Sequence, residues 1–247
     1  MECVADQPDG MNINAGVGSE HPQGLAARVV ASAARLGVAH DGDGDRAVIC
    51  DETGSILDGD EVLAILGTFA LREGRLAHAT VVATLQSNCG LERALEAAGG
   101  RLVRTAVGDR YVAEEMRRGG YTLGGESSGH FVFAECSTTG DGLLAALKVA
   151  EVMIRTGRPL SELRRVLVKA PRAYETIGVA EKRPLEGLPR LSSEMGAVES
   201  ALGRSGRILV RYSGTEPKLR LLVEASSQEE AELALARLKR AALTDLA

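Results

Sequence analysis

Three aspartates within five residues constrain this chain more than any other feature. Asp41, Asp43 and Asp45 alternate with two glycines, and Arg46 follows directly. Such neighbouring charges repel by roughly 1 kcal/mol per pair in water and by about 4 kcal/mol near a protein surface. The glycines let the backbone curl until the carboxylate oxygens converge. Oxygen ligands favour a hard ion, Mg²⁺ before Ca²⁺, and the planar guanidinium of Arg46 suits a phosphate beside it. We therefore predict a magnesium loop that serves phosphate chemistry.

A solvated acidic turn and an EF-hand are the alternatives for this segment. Its acidic residues fall at the first, third, fifth and twelfth positions of an EF-hand loop: Asp41, Asp43, Asp45 and Glu52. The sixth position requires glycine for a sharp turn but holds Arg46, and the apolar run at 47–50 predicts a strand rather than an exiting helix. These two features disfavour the EF-hand and leave the solvated turn open.

Composition argues against several classes of function. The 247 residues carry a net charge of −5, no tryptophan and 3% aromatic residues, so nucleic acid is not an expected partner. No apolar run approaches the ~18 residues that span a bilayer, no signal peptide is visible, and no membrane partner is expected. The four cysteines form no C-x-x-C pair, as is typical of reduced thiols. We expect a cytoplasmic protein of two or three small domains.

The order of predicted elements indicates an α/β fold with doubly wound domains, one partial and one complete, followed by a small α+β domain. A helix from Pro22 to about Arg35 carries Val29 and Val30 on one face. A strand at 36–39 then delivers the acidic loop at its carboxyl end, where open α/β sheets bind ligands. Helices and strands alternate afterwards, which predicts parallel strands. The strands are expected at 80–84, 101–105 and 121–123, and the helices at 58–72, 90–98, 111–118 and 142–156.

Residues beyond Pro171 predict the small C-terminal domain. Proline and glycine punctuate the stretch from Pro171 to Pro189, which we interpret as a linker. Strands are expected at 207–211 and 218–224, and a helix from Ser227. Ser227 and Glu230 have the spacing of a capping box for that helix.

Two further loops have residues suited to chemistry. In Gly124–His130, glycines free the backbone, Glu126 and Ser128 suit a polyol, and His130 titrates near neutral pH. In Arg211–Arg220, hydroxyls and backbone N–H groups flanked by cations predict a nest for a dianion. An ordinary polar turn and a charged surface hairpin are the alternatives for these loops.

The first of these two loops also matches the G-x-S-x-G nucleophile elbow of serine hydrolases. That motif requires a strand, a turn and then a helix. Phe131–Phe133 follows the motif directly and has the pattern of a strand, and His130 is too close in sequence to serve easily as the base of a triad. A hydrolase is therefore disfavoured.

Taken in this order, the three loops resemble those of the α-D-phosphohexomutase family. Asp41–Arg46 resembles its magnesium loop, Gly125–His130 its sugar-specificity loop and Arg211–Arg220 its phosphate-binding loop. Val107–Tyr111 and Thr138–Gly142 resemble the glucosamine subgroup rather than the phosphomannomutase/phosphoglucomutase subgroup. The likeness covers nearly the whole chain.

The resemblance implies an intramolecular phosphotransferase that interconverts glucosamine 6-phosphate and glucosamine 1-phosphate. Mg²⁺ held by Asp41, Asp43 and Asp45 would neutralise the transferring phosphoryl group. Arg46 would contact that group, and His130 would be a general acid/base. The substrate-binding residues implied are Glu126 and Ser128 for sugar hydroxyls, Arg211, Ser213, Gly214, Thr215 and Arg220 for the second phosphate, and Arg110 as a further contact.

One feature of the family does not occur in this sequence. The family's first domain carries a phosphoserine in a Ser-His-Asn-Pro-like loop, which Ser19–Pro22 echoes only superficially. We expect a partial second domain at 1–56, a third at 57–168 and a fourth at 169–247. The chain would be inactive without the missing N-terminal domain, and it could recruit that domain or a second copy as partner. A phosphomannomutase/phosphoglucomutase fragment and a non-catalytic phosphosugar-binding remnant stay open as alternatives.

Overall fold

A computed structural model describes residues 1–246. Their contacts divide the chain into two compact units, with the boundary between Val168 and Lys169. None of the helices among these residues combines the length and the apolarity needed to cross a bilayer.

The first unit opens with one helix and a small sheet. Helix α1 spans Gln23–Ser32, and strands β1 (Leu36–His40), β2 (Ala47–Asp51) and β3 (Ile56–Leu57) pair in that order. All pairs are antiparallel, so the acidic loop is a hairpin connection and not a crossover at the edge of a parallel sheet. Only part of the predicted apolar face of α1 is covered, because Val29 is buried whereas Val30 is exposed.

The rest of the first unit is an α/β/α arrangement. Its four-stranded sheet has the order β5-β4-β6-β7, with β4 parallel to β5 and β6 and with β7 antiparallel to β6. The elements in chain order are α2 (Gly59–Arg72), β4 (Thr80–Thr84), α3 (Cys89–Ala97), β5 (Arg101–Thr105), α4 (Asp109–Gly119), β6 (Leu123–Gly125), β7 (Phe131–Phe133), α5 (Gly142–Thr156) and α6 (Leu160–Leu163).

Helices cover both faces of this sheet because successive strand residues point to opposite sides. Val81 and Ala83 of β4 belong to the main core, which includes α2, α3 and α5. Val82 packs instead in a separate cluster with Val112 and Met116 of α4. The predicted α/β class is confirmed.

Local capping determines where two of these helices begin. The Asp58 carboxylate accepts the Glu61 N–H at 3.1 Å while the Glu61 carboxylate accepts the Asp58 N–H at 3.1 Å, and these two bonds form a capping box at the start of α2. The Asp141 carboxylate accepts the Leu144 N–H at 2.8 Å and begins α5 at the predicted residue.

The second unit is an antiparallel sheet with two helices. Its elements are β8 (Arg172–Gly178), α7 (Pro189–Leu202), β9 (Arg207–Tyr212), β10 (Lys218–Glu224) and α8 (Gln228–Leu246), and the strand order is β8-β10-β9. The linker prediction is wrong for β8, which pairs with β10 along its whole length. Ala173 and Ile177 are its buried residues, and the sequence signal was weak because polar residues surround them.

The predicted cap of α8 forms only in part. The Ser227 hydroxyl accepts the Glu230 N–H at 3.1 Å. The Glu230 carboxylate, however, accepts the backbone N–H of Ser226 at 3.2 Å rather than that of Ser227. The return bond of the box is therefore displaced by one residue.

Candidate functional site

The three aspartates converge in the β1–β2 hairpin. One carboxylate oxygen from each of Asp41, Asp43 and Asp45 lies within 4.8 Å of the others. Asp41 and Asp45 are partly buried and Asp43 is exposed. Gly44 adopts a φ of +74°, which only glycine adopts readily, and its N–H donates to the Asp41 carbonyl at 3.2 Å. The hairpin thus presents three acidic oxygens on one curled backbone.

The charges in this hairpin are only partly compensated. Burial opposes ionisation of Asp41, but hydrogen bonds from the Arg46 backbone N–H and with Asp45 bring its pKa below the ordinary value. Burial raises the pKa of Asp45, and the hydrogen bond and charge of Asp41 raise it further, against an opposing effect of His130. Their proximity therefore disfavours ionisation of Asp45 while Asp41 stays readily ionised. This donor set fits a hard divalent cation.

The Arg46 guanidinium is engaged with the same carboxylates. Its Nε atom lies 2.7 Å from Asp41 Oδ2 and 3.6 Å from Asp45 Oδ1, and one Nη atom lies 3.8 Å from Glu20. The side chain is 39% exposed. Arg46 is therefore beside the predicted metal ligands and accessible to an added anion.

The predicted sugar-specificity loop is a tight turn between β6 and β7. The Gly129 N–H donates to the Glu126 carbonyl at 3.1 Å, and the Glu126 N–H donates to the His130 carbonyl at 2.9 Å. Ser128 is exposed. Because a strand and not a helix follows the turn, the structure lacks the nucleophile elbow of a serine hydrolase.

The amino end of α4 contacts this turn. The Gly108 N–H donates to Glu126 Oε1 at 3.0 Å. Arg110, in the first turn of α4, is exposed and has its guanidinium carbon 5.1 Å from the centre of the Tyr111 ring. Arg110 and Glu126 are thus brought to one corner of the first unit.

The acidic hairpin and the sugar-specificity loop are hydrogen-bonded to each other. The Ala47 N–H donates to the Gly129 carbonyl at 3.0 Å, and Arg46 forms an antiparallel bridge with His130. The His130 ring is buried, with Nε2 3.4 Å from Asp45 Oδ2. His130 therefore contacts the predicted metal loop, and its role as a general acid/base stays a prediction.

Sequence reasoning missed two glycines that allow close packing at this junction. A side chain at Gly140 would collide with the His130 ring, and one at Gly142 would collide with the Arg46 carbonyl. Both lie in Thr138–Gly142, which the sequence singled out only by resemblance. A Gly-x-Gly spacing immediately before a helix was the available signal.

The predicted phosphate-binding loop connects β9 and β10 in the second unit. The buried Ser213 donates its N–H to the Lys218 carbonyl at 2.8 Å, and its hydroxyl accepts the Glu216 N–H at 3.4 Å. Within residues 1–246, the N–H groups of Gly214 and Thr215 have no hydrogen-bond acceptor. An added Cβ at Gly214 would meet nothing within 4 Å. The loop therefore has two amide donors without an acceptor, and the space beside the Gly214 Cα is open.

Cations surround these two amides. Arg211 and Arg220 lie directly opposite each other in the β9–β10 register, an arrangement of like charges that an anion would stabilise. Glu216 pairs with Lys218 at 2.5 Å and with Arg220 at 3.3 Å, and Lys218 is the main cause of its lowered pKa. Arg211 has no carboxylate within ion-pair distance in the described part of the chain.

Lys182 also touches this loop, although sequence reasoning placed it in a linker. Its Nζ atom donates to the Ser213 carbonyl at 2.7 Å and to the Gly214 carbonyl at 3.2 Å. The partners lie 31 and 32 positions away in the chain. No local pattern could have revealed this contact.

Comparison with known families matches both units. Residues 58–170 match the family model described as phosphoglucomutase/phosphomannomutase, alpha/beta/alpha domain III, and residues 165–241 match the C-terminal domain of the same family.

Curated relatives include two phosphoglucosamine mutases. That of Anaeromyxobacter sp. (strain Fw109-5) is 56% identical over 220 residues, which are 89% of this chain and 47% of the relative. That of Syntrophotalea carbinolica is 50% identical over 92% of this chain and 49% of the relative. The chain therefore spans about half the length of the curated relatives it matches.

Solved structures share the fold at lower identity. A phosphoglucomutase/phosphomannomutase family protein from Burkholderia thailandensis superimposes with a TM-score of 0.74, 22% identity and coverage of 92% of this chain and 50% of that one. N-acetylphosphoglucosamine mutase of Aspergillus fumigatus, solved with GlcNAc-6P and magnesium, gives a TM-score of 0.71 at 21% identity, covering 96% of this chain and 58% of that one.

Proposed function

We propose that this chain, which belongs to the phosphoglucomutase/phosphomannomutase family of phosphohexomutases, forms the metal-, sugar- and phosphate-binding part of a phosphoglucosamine mutase. The reaction is the interconversion of glucosamine 6-phosphate and glucosamine 1-phosphate. The observation that carries the proposal is the direct hydrogen bonding of the three-carboxylate hairpin to the Glu126–Gly129 turn. The substrate is suggested by relatives named phosphoglucosamine mutase at 50–56% identity.

In the acidic hairpin, Asp41, Asp43 and Asp45 would hold Mg²⁺. When bound, this ion neutralises negative charge on a phosphoryl group in transfer. Arg46 is 39% exposed beside these carboxylates, and its planar fork can exchange a carboxylate for a phosphate. We assign it to the transferring group.

Glu126 and Ser128 would bind the hydroxyls of the hexosamine, with Arg110 as a further contact. Glu126 already accepts one backbone N–H and keeps a second oxygen for a sugar hydroxyl. His130 is proposed as the general acid/base, because its buried imidazole lies beside the predicted metal ligands, with Nε2 3.4 Å from Asp45 Oδ2.

The second phosphate would bind in the loop of the C-terminal unit. Arg211 and Arg220 supply charge, the N–H groups of Gly214 and Thr215 supply donors, and the hydroxyls of Ser213 and Thr215 complete the set. Bound phosphate would offset the repulsion between the two opposed arginines.

We further propose that the phosphoryl-carrying serine comes from a segment outside these residues, since the sequence has no Ser-His-Asn-Pro-like loop. Residues 1–56, 57–168 and 169–247 would then be part of the second family domain and the whole third and fourth domains. The phosphoserine would also supply an oxygen to the metal, so we expect the chain alone to bind Mg²⁺ no more tightly than millimolar. The four free cysteines suit the reducing cytoplasm.

An assay of glucosamine 1-phosphate formation tests the proposal. The chain alone should give no turnover. Fusion to the N-terminal half of the Anaeromyxobacter relative should give turnover, and the same fusion with the phosphoryl-carrying serine changed to alanine should not. A correctly folded fusion without activity on any hexose phosphate would refute the proposal. Activity on glucose or mannose phosphates in preference to the amino sugar would favour the phosphomannomutase/phosphoglucomutase subgroup.

A non-catalytic phosphosugar-binding protein is the second candidate. It is supported by the two unengaged amides of the phosphate-binding loop, which need no phosphoserine to bind an anion. Calorimetric titration with glucosamine 6-phosphate distinguishes this candidate from the enzyme. A binding protein predicts that the chain binds the sugar phosphate although the fusion is inactive.

A further inference from the structure

We propose that Lys182 is a positioning residue that prepares the phosphate-binding loop by holding its carbonyl groups away from the anion. The inference rests on the proposed function of that loop and names the residue on which the loop's geometry depends.

The direction of the loop's carbonyl groups fixes the direction of its amide N–H groups. The Lys182 ammonium donates to the carbonyls of Ser213 and Gly214. The described residues contain no cis peptide bond, and in a trans peptide the carbonyl and the following N–H point in opposite directions. The N–H groups of Gly214 and Thr215 therefore point away from Lys182. These are the two amides without an acceptor.

The Lys182 ammonium also strengthens the Gly214 and Thr215 N–H groups as hydrogen-bond donors. Hydrogen bonds from a charged donor are stronger than neutral ones, and a hydrogen bond to a carbonyl polarises the peptide unit to which it belongs. Each of the two carbonyls shares its peptide unit with one of the unengaged N–H groups. Lys182 thus makes both amides better donors to a dianion, in addition to fixing their direction.

Three contacts hold Lys182 in place. It lies in the segment 179–183 after β8, where the Val179 N–H donates to the Pro217 carbonyl at 2.9 Å. Arg183 donates to the carbonyls of Asp245 at 2.8 Å and Gly187 at 3.1 Å. The segment is therefore anchored on both sides of Lys182, so the ammonium meets the loop at a defined point.

Binding to the 247-residue chain tests the inference, with glucosamine 6-phosphate and inorganic phosphate as titrants at a pH where phosphate is a dianion. Lys182→Met should weaken both by about tenfold, the usual scale for lost charged hydrogen bonds. Lys182→Arg should restore affinity to within about threefold, because a guanidinium can donate to the same carbonyls. Lys239→Met is the matched control, since it removes an equal charge from the same unit at a side chain paired with Glu175.

A second measurement needs no ligand. Nuclear magnetic resonance of the phosphate-free chain should show displaced amide signals of Gly214 and Thr215 in Lys182→Met and faster hydrogen exchange there. Unchanged affinity in Lys182→Met would overturn the inference while leaving the phosphate site intact. Weaker binding with unchanged free-state amides would also overturn it, in favour of direct contact between Lys182 and phosphate. If the unaltered chain bound neither titrant, the proposed phosphate site would fail, and the amide comparison would still judge whether Lys182 holds the loop.

Discussion

Replacing Asp43 by asparagine should stabilise the chain without Mg²⁺ and destabilise it relative to wild type with Mg²⁺. Arg46 pairs with Asp41 and Asp45, whereas Asp43 has no cation within ion-pair distance in residues 1–246. Asp43 therefore contributes only repulsion to the metal-free hairpin. The 4.8 Å limit on the oxygen separations corresponds to about 0.9 kcal/mol per pair in water.

Screening and the number of pairs set the expected magnitude. A Debye length of about 8 Å at physiological ionic strength roughly halves each repulsion. Two pairs then give about 1 kcal/mol of added stability in Asp43→Asn. Asp41→Asn should have the opposite effect, because the Asp41 carboxylate accepts the Arg46 backbone N–H at 3.1 Å and contacts its Nε.

Urea unfolding followed by circular dichroism, in EDTA and in Mg²⁺, measures both effects. At about ten times its dissociation constant, Mg²⁺ should add about 1.4 kcal/mol to the wild type but less than about 0.4 kcal/mol to Asp43→Asn, because the loss of one of three carboxylate ligands should weaken binding well over tenfold. Asp43→Asn should therefore be more stable than the wild type in EDTA and less stable than the wild type in Mg²⁺. Glu96→Gln is the charge-matched control at an exposed position on α3. Lower stability of Asp43→Asn in EDTA, or equal stabilisation of both by Mg²⁺, would refute the reasoning.

Three further predictions concern the second unit. Glu224→Gln should cost about 3–5 kcal/mol in urea unfolding, because the buried carboxylate pairs with Arg172 at 2.5 Å and Arg207 at 2.6 Å. Burial opposes ionisation of Glu224, but Arg207 and Arg172 lower its pKa below the ordinary value of 4.5. The stability that the ionised carboxylate adds above pH 4.5 should therefore be lost as the pH falls through the folded-state pKa, and Glu224→Gln should lose less stability over that range. Gly214→Ala should leave unfolding unchanged yet weaken phosphate binding about tenfold, since its Cβ meets only the space assigned to the ligand; unaltered affinity would contradict that assignment. Glu216→Gln should tighten phosphate binding by up to about fivefold by releasing Lys218 and Arg220, and weaker binding by calorimetry would count against competition between carboxylate and phosphate.

Local physics determined those parts of the fold that the sequence predicts well. Helix α5 begins and ends where predicted because Asp141 caps its first turn and Gly157 adopts the left-handed conformation that ends it. Strand β10 also has its predicted bounds, since alternating buried residues signal a half-buried strand. The acidic hairpin was visible in the sequence because its three aspartates lie within five residues of one another.

Long-range pairing decided the remainder. Strand β8 exists because β10 supplies a hydrogen-bonding partner for a polar segment that has little strand signal of its own. The enclosure of His130 beside Asp45 depends on residues about 85 positions apart, and the contact of Lys182 with the phosphate-binding loop spans more than 30. Residue types and short spacings therefore determined which chemical groups this protein has, whereas tertiary packing decided which of them touch, because hydrogen bonds and ion pairs between distant segments leave no periodic trace in the chain.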